Sequence, residues 1–177
     1  MKICVVAGHT SKGKGTGAVG FINESAENRV VGKKIVEYLK MAGHDAVYGE
    51  INESTTYLAD QVAIANKSNY DLVVQIHFNA GGGTGTETYY CTGNSDGKEF
   101  ADHVQQGMLD AVGLRNRGVK SARFAVLRRT NMTAILVETA FIDTASDAKH
   151  LASESSRKAF AEGIARGICK YVGIEFK

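Results

Sequence analysis

Three residues interrupt apolar runs at places where an ionisable side chain needs a reason to be. His9 follows KICVVA (2–7), His77 closes DLVVQIH (71–77), and Glu138 sits within AILVET (134–139). A buried imidazole or carboxylate needs a hydrogen-bonding partner or a metal. A fourth residue, Glu24, opens a helical pattern and so lies near the same rim. Two neutral imidazoles and one carboxylate make a zinc site whose fourth position stays open to water. The zinc acidifies that water and polarises a scissile carbonyl. A carboxylate outside the ligand set can then take the proton and pass it to a leaving nitrogen, and Glu138 suits that role. Asn79, just past His77, can hold a ligand or the substrate through its side-chain amide.

The ligands are scattered and no HExxH spacing supports them, so plainer roles stand beside this one. His9 and His77 can be packed loop and strand-end histidines. Glu27 competes with Glu24, because acids anywhere in a first helical turn favour the helix dipole. Glu138 can be a salt-bridge partner for Arg128 or Arg129. Glu87 reads as part of a solvated strand face. His44, His103 and His150 read as structural or helix-surface residues.

The elements that must position these groups alternate in type. KICVVA and DLVVQIH are buried strands, and AILVET is a third. Glu24–Leu39 is an amphipathic helix, with Val31, Ile35, Val36 and Leu39 on one stripe. Asp45–Ile51 and Thr86–Cys91 read as strands, as does the short run Phe124–Arg128. Helices are expected over 55–67, 95–112 and 155–172. The segment 10–23 reads as a mobile glycine-rich loop beside the groove, and 80–85 as a flexible one. This order predicts an α/β fold in one domain spanning residues 1–177: a mostly parallel, mixed sheet of about six strands with helices on both faces. In such sheets ligands bind beyond the carboxyl ends of strands, where His9, His77 and Glu138 stand.

Composition narrows the function. An apolar share of 44% can furnish a core, and 23% charged residues argue against wholesale disorder. A net charge of +2 carries no basic stripe for nucleic acid. No segment approaches the ~20 apolar residues of a membrane span. Nor is there a signal peptide, so the chain is expected to be made in the cytoplasm and to act after release. The three cysteines, Cys4, Cys91 and Cys169, are too few and too far apart for a disulfide framework or a zinc ribbon. Cys4 and Cys169 read as core residues. Gly15, Gly17 and Gly20 form a formal GxGxxG, but it neither follows its strand at once nor opens the helix, so a dinucleotide site is disfavoured. Gly163 and Gly167 read as helix packing.

Several blocks together resemble the zinc-dependent N-acetylmuramoyl-L-alanine amidases, with a likeness to the catalytic domains of phage endolysins. They are VVAGHT (5–10), NESAEN (23–28), VAIANKSNYDLVVQIHFNA (62–80), GTETYY (85–90) and AVLRRTNMTAILVETAFID (125–143). Each is short, but they run in order along nearly the whole chain. The resemblance implies a mixed-sheet α/β fold and cleavage, in bacterial peptidoglycan, of the amide joining the muramic-acid lactyl group to L-alanine. It implies zinc ligation by His9, by Glu24 of the pattern ending at Asn28, and by His77, with Glu138 as the catalytic carboxylate. The sequence departs from many relatives at Thr10-Ser11, where a glycine pair is common, at Gln75 and at Gln61. The wall-binding domain usual in endolysins is not among these residues, so either a catalytic fragment or a stand-alone enzyme is expected. Peptidoglycan is the expected partner and a monomer the expected state. A zinc peptidase cutting within the stem peptide, or a wall-binding module without catalysis, are the alternatives.

Overall fold

The computed structural model describes residues 1–176. Six strands form one sheet: β1 (Lys2–Thr10), β2 (Asp45–Ile51), β3 (Leu72–Asn79), β4 (Thr86–Cys91), β5 (Asn116–Ala122) and β6 (Thr133–Phe141). Their order across the sheet is β2-β1-β3-β6-β4-β5. All neighbours run parallel except β4 and β6, which are antiparallel. The expected mixed α/β sheet is therefore present. β1, β3 and β6 lie at its centre because their side chains are apolar on both faces.

The two faces are covered unequally. One carries the long helices α1 (Glu24–Met41), α3 (Ser95–Val112) and α6 (Glu154–Tyr171), which pack with Ile3, Val5, Val74, Ile135 and Val137 into the larger core. The other carries only α2 (Tyr57–Ala65) and α4 (Ala125–Arg129), over Cys4, Val6, Val73 and Leu136. A short helix α5 (Ala145–Lys149) follows β6. Burying roughly 1.5–3 kcal/mol worth of apolar side chain at each of these core positions is what fixes the layers.

Two expectations are corrected. The run at 124–128 is a helix, not a strand, and it closes over Leu136 rather than joining the sheet. The edge strand β5 and the helix α5 were not expected at all. The glycine loop is mostly exposed but touches the rest of the fold closely at two glycines: a Cβ at Gly17 would lie 2.6 Å from a Glu24 oxygen, and one at Gly20 would lie 2.6 Å from the Ile142 carbonyl. Cys4 and Cys169 are buried as expected, and Cys169 lies 3.5 Å from the Nε2 of His44. Gly163 and Gly107 let α6 and α3 touch backbone to backbone, as the GxxxG spacing suggested. No helix among the described residues is long and apolar enough to cross a membrane.

Candidate metal centre

His9 ends β1, Glu24 opens α1 and His77 lies near the end of β3, so three separate segments converge at the carboxyl edge of the sheet. One donor atom from each lies within 4.8 Å of the others. Glu24 Oε1 sits 3.1 Å from His9 Nε2 and 3.0 Å from His77 Nδ1. Gly8 has no side chain where the His77 ring passes; a Cβ there would lie 2.3 Å from Nε2.

The donor chemistry fits a metal. His9 Nδ1 is 3.0 Å from the Gly15 carbonyl, which can only accept, so the ring hydrogen belongs on Nδ1. In the neutral ring the Nε2 lone pair then faces a carboxylate oxygen, and two acceptors at that distance repel unless a cation lies between them. Zinc bonds of roughly 2.0–2.2 Å in a tetrahedron place donors about 3.4 Å apart, close to the spacings found here. The second Glu24 oxygen is already used, accepting from the Ala18 amide at 3.0 Å. That leaves one oxygen for a metal.

Helix α1 also holds the backbone of the first ligand. Ser25 Oγ donates to the Thr10 carbonyl (2.7 Å), Asn28 Nδ2 to the Gly8 carbonyl (3.1 Å), and Arg29 Nη2 to the His9 carbonyl (3.4 Å). Three consecutive carbonyls are thus bonded from one helix. They fix His9 at φ 64°, a left-handed conformation that side-chain-bearing residues adopt at a cost of about 1–3 kcal/mol. Glu27, the competing acid, is engaged elsewhere, in a bidentate pair with Arg157 on α6.

Beside the cluster, strand register lines up three residues. His77 on β3 is opposite Glu138 on β6, and Glu138 is opposite Glu87 on β4. Glu138 Oε2 is shut off from solvent and has no partner, so the salt bridge to Arg128 or Arg129 is not formed. Burial, with the charges of Glu24 and Glu87 added, holds the Glu138 carboxyl well above the usual range. Burial opposes the Glu24 carboxylate too, but His77 and His9 outweigh it and hold that group well below its usual range. Burial opposes the charged form of His9 as well; there Glu24 and the Gly15 carbonyl outweigh it, and its pKa is raised. In His77 burial wins, and the pKa is lowered.

Glu87 corrects a further expectation. It is buried rather than solvated, and it binds Arg117 (2.7 Å), Lys120, Tyr89 (2.9 Å) and Asn79 (2.8 Å). Burial pushes this carboxyl up, but Lys120, Arg117 and Tyr89 bring it down to about 2. Sequence reasoning missed Arg117 and Lys120 because they come from the unexpected strand β5. Asn79 donates to Glu87 and is not among the residues lining the adjoining cleft.

That cleft, of about 340 Å³, opens between α2 and α4. His9, His77 and Glu138 stand at its inner end, and Leu58 and Phe124 at its rim, 51% and 43% exposed.

The family model for N-acetylmuramoyl-L-alanine amidase matches residues 3–170. The chain belongs to that family. It is 32% identical over 174 residues to the N-acetylmuramoyl-L-alanine amidase LytC of Bacillus subtilis, covering 96% of this chain and 35% of LytC. It is 33% identical over 180 residues to the endolysin of Bacillus phage SPP1, covering 97% of this chain and 66% of the endolysin. An uncharacterized protein of Clostridium perfringens is 37% identical over 159 residues, covering 84% of this chain and 46% of that protein. The chain therefore spans less than half the length of some of the curated relatives it matches. The amidase AmiC2 of Nostoc punctiforme superposes with a TM-score of 0.88 at 33% identity, covering 98% and 97% of the two chains. An amidase from Clostridium difficile 630 gives 0.86 at 32%, covering 97% and 96%.

Proposed function

We propose that this chain hydrolyses the amide bond between N-acetylmuramic acid and L-alanine in bacterial peptidoglycan, with zinc held by His9, Glu24 and His77. The observation that carries the reading is the Glu24 oxygen set between two imidazole nitrogens, beside Glu138, whose Oε2 is shut off from solvent and has no partner. When bound, zinc supplies a Lewis acid that polarises the scissile carbonyl and acidifies the attacking water.

The remaining steps fall to the chain's own residues. Glu138 takes the proton from the attacking water and passes it to the leaving nitrogen of L-alanine; burial and the neighbouring charges of Glu24 and Glu87 make it a stronger proton acceptor than an ordinary carboxylate. Glu24 binds through Oε1, while the Ala18 amide fixes its other oxygen. His9 is held in register by Ser25, Asn28 and Arg29. Asn79 acts through Glu87, whose carboxylate it helps to fix beside Glu138. The cleft between α2 and α4 seats the substrate and keeps bulk water from the reacting groups.

Clearance of purified Gram-positive cell walls tests this reading. Turbidity should fall, stop falling with chelator, and fall again when zinc is restored. Each bond cut should release one free N-terminal alanine and leave the glycan intact. Cleavage inside the stem peptide, with no new alanine terminus, would replace the amidase by a peptidase.

A further inference from the structure

The floor of the cleft carries a polar group that neither the metal centre nor the acid–base carboxyl uses. Gln75 precedes His77 by two residues on β3, so its side chain leaves the same face of the sheet, roughly 7 Å away along the strand. Its Nε2 donates to Gln61 Oε1 on α2 at 3.0 Å. Both glutamines are 3% exposed and both line the cleft. Gln61 Nε2 has no partner. Glu138 Oε2 is also unpartnered and lines the same cleft. The cleft thus holds one orphaned donor and one orphaned acceptor, and only the acceptor has a role in hydrolysis.

An amide pair buried for packing alone would be a poor choice. An unsatisfied buried donor keeps its full desolvation penalty, while apolar side chains of the same shape carry none. A ligand oxygen that reaches the orphaned donor gains a hydrogen bond in surroundings of low dielectric. The orphan is a neutral donor with apolar neighbours, Val126 and Leu136, on the cleft wall. It therefore suits a neutral amide oxygen better than a carboxylate, which would have to enter beside Glu138.

We propose that Gln61 is a specificity-determining residue whose Nε2 donates to an amide carbonyl of the muramoyl-peptide, away from the scissile bond, with Gln75 setting its orientation. The proposal rests on the amidase reading. Two substrate groups offer this chemistry: the N-acetyl carbonyl of the sugar and a carbonyl of the stem peptide.

The test uses a soluble muramoyl-peptide and the variant Gln61→Met, which keeps side-chain length. Release of free N-terminal alanine is followed, with zinc content and melting temperature measured in parallel. The expected result is a loss in kcat/KM of about tenfold, mostly in KM, with zinc content unchanged. If Gln61→Met does not fold, Gln61→Glu is read instead, since it keeps the acceptor that Gln75 uses. Two shortened substrates locate the contact: one N-deacetylated, the other with its stem cut after L-alanine. The penalty should vanish on whichever lacks the contacting carbonyl. Equal kcat/KM for parent and variant on the full substrate would overturn the proposal, as would an undiminished penalty on both shortened ones. Failure of the parent to release alanine would instead overturn the amidase reading itself.

Discussion

The two faces of the sheet divide the work of the molecule. Under α1, α3 and α6 the helices are long, the core is continuous, and Gly107 and Gly163 bring α3 and α6 into backbone contact. Under α2 and α4 the cover is two short helices, and the gap between them is the cleft. Gln61, Gln75, Glu87 and Glu138 all lie on the open side, where Gln61 Nε2 and Glu138 Oε2 have no partner, whereas Gln105 on the closed side is bonded to Thr86, Thr88 and Asn116. The lesson is that on the closed side Glu27 and Gln105 are engaged by Arg157 and Thr88, while the open side leaves Gln61 and Glu138 with atoms that only a ligand can satisfy.

The sharpest way to break that division is Glu138→Gln. Hydrolysis should fall by about 10²–10⁴-fold, the usual contribution of a positioned acid–base group, with zinc retained. The variant should also melt no lower than the parent at neutral pH. The sign follows from the raised pKa: the protonated carboxyl is the stable buried form, and its stability is lost as pH rises through the folded value, a loss that glutamine does not suffer. A rate within tenfold of the parent would show that the open face does not carry catalysis through this residue.

Asn28→Ala probes the helix that serves both sides. Freeing the Gly8 carbonyl beside His9 should weaken zinc binding by about 10–100-fold, measured by competition with a chromogenic chelator. Unchanged affinity would mean that the left-handed His9 is held without it. On the closed face, Gly107→Val should do the reverse. Its Cβ would lie 2.2 Å from the Gly163 carbonyl, so a cost of about 1–3 kcal/mol is expected. That lowers the melting temperature by about 2–4 °C per kcal/mol, with kcat at 25 °C unaltered. A loss of activity in the folded variant would blur the distinction between faces.

The smallest effect concerns Glu87. Its carboxyl is depressed to about 2, so its contribution is complete above the ordinary carboxylate range and lost as pH falls through the folded value. The stability gap between parent and Glu87→Gln should therefore close between about pH 5 and pH 2. A gap that stays constant in denaturant titrations across that window would show that Arg117 and Lys120 do not stabilise the charge.

Much of the site was legible because its residues violate their surroundings. His77 and Glu138 stand out in apolar runs, and the topology brings such strand ends together. What escaped the sequence depended on distant neighbours. Glu87 looks solvated until β5 supplies two cations, and β5 itself (NRGVKSA) is a polar edge strand with no alternation to reveal it. The run Phe124–Arg128 is apolar and short, a pattern that strand and helix share. Only its packing over Leu136 decides for helix. The glycine loop reads as loose because a sequence does not show that Gly17 touches Glu24.

The centre also sets a timetable for the nascent or refolding chain. His9 and Glu24 are near neighbours in sequence, but Glu24 and His77 are 53 residues apart, and β6 reaches β3 only after α3, β4 and β5 have been set aside. Pairings this distant carry a large closure entropy and form late. Helical signal should therefore appear first on refolding and the His9–Glu24–His77 cluster close afterwards, so that the three donor groups come together only once the central strands have paired.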